Sequence, residues 1–143
     1  MGRKRKWTSV DWEKAPDIQK QVGKIIKTLN LAWGKRGQIY CFRSKNSSSR
    51  AYARIWGLTK IWQLALSSEP AYIIEVLSEK FDKLPEREKD KVLIHELAHI
   101  PKNFSGSLLP HTRTKGSRNF HDKVEVLFKT YMKHANRKNE KRI

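Results

Sequence analysis

The stretch VLIHELAHIP, Val92 to Pro101, constrains this chain more than any other. Apolar residues fall at 93, 94, 97, 98 and 100, so the segment reads as a helix buried on more than one side. His95, Glu96 and His99 sit inside it. A buried helix rarely carries two imidazoles and a carboxyl without partners for them, because unpaired polar groups are costly away from water. The fold therefore has to bring partners to this helix. Four-residue spacing puts His95 and His99 on one face, where both can reach one ion. Glu96 projects beside that ion rather than onto it. This is the placement of a general base acting on a water that Zn²⁺ polarises.

Two imidazoles leave a third ligand to be found. A histidine six residues beyond the second, as in one protease class, would fall at Ser105, so that pattern fails. His111 follows a Gly/Ser turn and Pro110, in a loop able to return toward the helix. His121 opens the last helical segment, on the stripe that continues through Val124, Phe128 and Tyr131, and so is expected to point inward. A glutamate on a downstream helix is another option, and Glu125 is the only close candidate. His134 falls in the tail and is set aside. His111 is the preferred third ligand and His121 the alternative. Oxyanion help is open among His121, Tyr131 and Arg113.

Around this helix the pattern predicts an α+β domain. Ile18, Val22, Ile25, Ile26 and Leu29 form one apolar stripe, with Pro16 and Asp17 suited to the first turn and GKRG (34–37) as the breaker. Lys20, Lys24 and Lys27 line another face. GQIYCFRS reads as a strand and KNSSSR as a turn. ARIWGL and KIWQLAL read as a hairpin about Gly57, and AYIIEVLS as a fourth strand. Pro85, Glu86 and Glu88 suit the start of the key helix, and Pro101 sets its end at Ile100. A last helix is expected from about Arg118 to Met132. Residues 1–15 read as a basic arm pinned by Trp7 and Trp12, 16–132 as one domain, and 133–143 as a fraying basic tail.

Charge adds a second theme. The chain has 31 Lys and Arg against 14 Asp and Glu, a net charge of +17. Between Asp17 and Glu69 there are ten basic residues and no acid. The basic 18–68 region is therefore expected to attract nucleic acid or another polyanion. The loop from Lys102 to Arg118 adds Arg113 and Lys115 and again no acid. The single cysteine, Cys41, excludes an internal disulfide framework and a Cys-rich zinc site. No apolar run is long enough for a membrane span, and no apolar segment follows the basic N-terminus, so a cytoplasmic location is expected.

The run LIHELAHIPKNFSG…LLPH, followed by a helix near NFHDKVEVLF, resembles the small metallopeptidases of archaea and phages. These are similar in turn to SprT-type zinc proteases. The specific likeness covers Tyr72 to Tyr131; the N-terminal half matches only in element order. The resemblance implies a zincin-like fold: a small twisted sheet, a helix packed on it, the HExxH helix and a C-terminal helix. It implies a zinc-dependent peptidase with Glu96 as base. In SprT-like families the third histidine follows a loop past the second, which favours His111. Relatives are linked to proteolysis of DNA-bound proteins, but this chain has no recognisable DNA-binding appendage and no zinc-ribbon cysteines. The substrate peptide is expected to lie along an edge strand, with AYIIEVLS as candidate. Two other classes compete: a zinc-dependent nuclease, and a nucleic-acid- or ribosome-associated basic protein with a structural zinc. Small endoribonucleases with a comparable three-histidine site lack the glutamate after the first histidine, so Glu96 favours peptide hydrolysis.

Overall fold

The structure is a computed structural model that describes residues 9–34, 38–111 and 119–140. It is an α+β domain whose elements run β1 (Asp11–Lys14), α1 (Pro16–Leu29), β2 (Gln38–Lys45), β3 (Ala53–Gly57), α2 (Lys60–Leu66), β4 (Ala71–Leu77), α3 (Ser78–Phe81), α4 (Glu86–Leu97) and α5 (Phe120–Glu140). The sheet order is β1-β2-β4-β3, with β2 and β4 parallel and both outer pairs antiparallel.

One face of the sheet carries the core. Cys41, Ile74, Val76 and Ala53 alternate inward and meet Ile18, Val22 and Ile25 of α1 and Leu93, Ile94 and Leu97 of α4. The α1 stripe behaves as its spacing predicts, with Ile26 and Leu29 partly buried. The helix stops earlier than GKRG, however. Asn30 takes a left-handed conformation (φ 47°), and its N–H bonds the carbonyls of Ile26 and Lys27. A residue able to adopt that conformation closes a helix as glycine does; Lys35 to Gly37 lie outside the described residues.

Four further expectations change. KIWQLAL is not a strand paired to ARIWG; it is helix α2, and β3 pairs with β4 instead. AYIIEVLS is not an edge but the central strand β4, flanked on both sides. Its continuous burial over Ile74 to Leu77 is the signature of such a strand. Residues 11–14, read as part of the arm, form edge strand β1, placing Trp12 opposite Ser44; Trp7 lies outside the described residues. Helix α5 starts at Phe120 and runs to Glu140, past the expected fray. Beyond Met132 it is a solvent-facing extension in which only Ala135 is even partly covered among the described side chains.

Arg43 ties three elements together. Its guanidinium donates to both carboxylate oxygens of Asp17 on α1, at 2.8 and 2.9 Å, and to both oxygens of Asp82 after α3. Hydrogen bonds from Arg43 hold both carboxyls below their ordinary range. A depressed folded-state pKa stabilises above the unfolded pKa and is lost as pH falls through the folded value. Arg43→Met should therefore cost about 1–2 kcal/mol at pH 7, the partial exposure of the acids moderating a charged network. That deficit should shrink well below about pH 4, where the carboxyls of the parent protein protonate. Urea unfolding of both proteins at the two pH values measures it.

Candidate metal centre

Helix α4 delivers His95 and Glu96 from its last turn. It ends at Leu97 rather than Ile100, because the chain tightens there. The N–H of His99 bonds the Glu96 carbonyl at 3.1 Å and that of Ile100 bonds Leu97 at 3.1 Å, three-residue steps instead of four. Lys123, in the first turn of α5, donates to the Ala98 carbonyl at 3.1 Å, a cation at the negative end of α4.

The loop after Pro101 carries His111 back to the helix. Its anchor is Phe104, buried against Tyr72 and Trp33 at ring separations of 4.8 and 5.5 Å. The Tyr72 hydroxyl accepts from Gly106 N–H and donates to the Ser107 carbonyl, both at 2.8 Å. Gln63, the one buried side chain of α2, donates to the carbonyls of Leu58 and Ser105. Gly106 is required on two counts. Its φ is +96°, and a Cβ would stand 2.1 Å from the Leu58 carbonyl oxygen. Gly57 meets the same contact from the other side, where a Cβ would lie 2.1 Å from the Gly106 oxygen. The loop is thus latched to the end of β3, and it closes on the helix through Leu109 N–H to the His99 carbonyl at 2.7 Å.

The result is a cluster of three imidazoles. His95, His99 and His111 each offer a ring nitrogen, all within 4.8 Å of one another. Nε2 of His95 and Nε2 of His111 are 3.0 Å apart. Nitrogens bound tetrahedrally to zinc at ~2.0–2.1 Å would lie about 3.3–3.4 Å apart, so little movement is needed. Nδ1 of His99 faces the Leu109 carbonyl at 2.5 Å. A proton donated there leaves Nε2 free for an ion, the usual outer support of a histidine ligand. Burial, then the neighbouring imidazoles, lowers His95 to about 4, so it is neutral at pH 7 and able to ligate. Burial lowers His99 as well. This donor set fits a divalent transition metal.

Glu96 is 8% exposed, and burial pushes its carboxyl up to about 7. A cation beside it would favour the ionised form. With His99 and His111 it lines a groove of about 480 Å³, bounded by Ala53 to Trp56 of β3 and by Leu108 to Pro110. Among the described residues β3 is an outer strand of the sheet, and its Ala53 to Trp56 line this groove.

The remaining candidates sit elsewhere. His121 is exposed at the start of α5 and outside the cluster, although its charge contributes to lowering His95. The inward position belongs to Phe120, one residue earlier, which starts the buried stripe Phe120, Val124, Phe128, Tyr131. Its ring stacks on His99 at 4.2 Å and meets His95 and His111 edge-on at 5.0 and 4.9 Å. Sequence reasoning missed it; the signal was the four-residue step from Phe120 to Val124. Glu125 is ion-paired with Lys91 at 2.8 Å. Tyr131 is buried and accepts from Gln21 at 3.2 Å, away from the groove residues. His134 is exposed. Arg113, Lys115 and Arg118 lie outside the described residues.

A family model described as "Putative phage metallopeptidase" matches residues 10–134. No curated protein and no solved structure matches the chain.

Gly106→Ala should weaken metal binding more than it weakens the fold, because the strained latch lies in the loop that brings His111. We expect a loss of about 1–3 kcal/mol at this position. Zinc affinity by competition with a chromophoric chelator, set beside thermal unfolding of the metal-free protein, separates the two effects.

Proposed function

The chain belongs to the phage metallopeptidase family whose model it matches over residues 10–134, and on that premise we propose that it is a zinc-dependent peptidase with Glu96 as general base. The observation that carries the reading is the convergence of three imidazoles, two of which line an open groove together with the buried Glu96. Structural zinc sites are closed by four protein ligands, whereas catalytic ones keep a position free. Three histidines, two of them lining a groove, favour the second kind.

In this reading His95, His99 and His111 hold the ion, with Phe120 packed against all three rings. When bound, zinc supplies Lewis-acid polarisation of a carbonyl and acidifies water near neutral pH. Glu96 takes the proton from the attacking water and returns it to the leaving amine. The free edge of β3 orients an extended peptide by strand addition, taking the place first given to AYIIEVLS. Leu108 and Leu109, both partly exposed on the groove wall, contact its apolar side chains. The net charge of +17 supports substrates that are acidic or carried on nucleic acid.

Elemental analysis and peptide hydrolysis test this together. Wild type should retain a single zinc per chain. His111→Ala should lose metal and activity, and His121→Ala should keep the metal. Glu96→Gln should keep the metal and lose about a hundredfold to ten-thousandfold in kcat. Zinc retained with no hydrolysis by wild type would leave a structural site. No zinc uptake at all would overturn the assignment.

A further inference from the structure

The sheet has a second face. Alternation along paired strands puts Tyr40, Ile73 and Trp56 in one row across β2, β4 and β3. Lys14, Phe42, Glu75 and Arg54 form the next row across all four strands. Trp12, two residues before Lys14 on β1, shares this side. These positions point away from the residues that meet α1 and α4. Trp12 is 59% exposed, Trp56 50%, Tyr40 46% and Ile73 38%. Trp12, Phe42, Trp56, Ile73 and Glu75 line a shallow, almost wholly apolar depression there.

Large aromatics in this number are unusual on an open sheet face and mark a contact surface. Their arrangement is held from beneath. Glu75, 1% exposed, accepts from Trp56 Nε1 and from Arg54 Nη2, each at 2.9 Å. The Arg54 guanidinium lies 5.3 Å from the Trp56 ring centre. The only carboxylate of the two rows is therefore buried and neutralised by Arg54, which leaves Lys14 as the cation beside the aromatic rows. Tyr40 and Phe42 are about 7 Å apart along β2, Trp12 stands diagonally across from Phe42 on β1, and Trp56 lies two strands, about 10 Å, from Tyr40 with Ile73 between them. Separated flat π surfaces of this kind, with Lys14 beside them, suit unstacked bases on a phosphate backbone. A protein of net charge +17 draws that kind of polymer.

We infer that this open face, built on Trp12, Tyr40, Phe42 and Trp56, is a stacking platform for single-stranded nucleic acid. It stands independently of the metal centre, but Trp56 lines both the platform and the groove. A strand bound on the platform would thus hold its attached protein beside the peptide-binding edge of β3.

The test is fluorescence anisotropy of the full-length protein with labelled single-stranded DNA and RNA of about 16 nucleotides, with duplex DNA of equal length alongside. Trp12→Ala/Tyr40→Ala removes two exposed rings, and Trp12→Phe/Tyr40→Phe keeps a π face at each. Circular dichroism and zinc content monitor the fold and the metal centre. We expect at least one of the two single strands to bind tighter than duplex, with affinity falling as salt rises. The alanine pair should lose roughly tenfold or more and the phenylalanine pair should recover most of it. Equal binding of single strand and duplex, an alanine pair that binds like wild type, or no binding of either strand would overturn the platform. Zinc content and peptide hydrolysis in the alanine pair should stay at the wild-type level, so failure here is distinct from failure of the peptidase reading.

Discussion

The structure depends on finding partners for the polar groups of a buried helix. The C-terminal half of α4 is covered on most sides, with Leu93, Ile94 and Leu97 at 0–2% exposure. His95, Glu96 and His99 at its end need contacts that the helix cannot supply. One loop provides most of them. Leu109 bonds His99 through both its N–H and its carbonyl, and His111 brings its ring nitrogen to His95. A polar group left unpaired in such a place costs on the order of 1–3 kcal/mol. Closing the loop on the helix end therefore contributes to the fold as well as to the site.

That loop can close only because other parts of the chain make room for it. Gly57 and Gly106 let two backbones pass at a distance no side chain permits. Tyr72 reaches from the central strand to hold Gly106 and Ser107, and Gln63 reaches from α2. α2 is inverted relative to an ordinary surface helix: its glutamine is buried while Ile61, Trp62, Leu64 and Leu66 are exposed. Its place in the fold comes from the hydrogen bonds of Gln63 rather than from an apolar stripe. This is why KIWQLAL misleads as a sequence, since its apolar residues suggest burial that they do not have.

Charge shows a similar reordering. The acid-free interval from 18 to 68 suggests an unbroken cationic surface. Folding brings acids from outside the interval to Arg43, Arg54 and Lys45, which pair with Asp17 and Asp82, with Glu75, and with Glu13. Lys20, Lys24 and Lys27 remain exposed on α1, on the side of the sheet opposite the aromatic rows. The positive field is therefore distributed over both sides of the molecule instead of running along one stripe.

The sequence by itself determined whatever depends on short-range periodicity. The stripe of α1, the strands β2, β3 and β4, the shared face of His95 and His99, and the α+β class all follow from which residues repeat at 3.6 or at 2. His111 was legible as a candidate because a turn and a proline preceded it. Tertiary structure alone decided strand order, which moved AYIIEVLS from edge to centre and gave the groove to β3. It also chose Phe120 over His121, since the two are neighbours in sequence and either could start the stripe. Packing resolved that choice: the aromatic ring stacks among the three imidazoles, and the other side chain turns to solvent. Local spacing fixes which residues share a face. Only the packing of remote segments fixes what that face meets.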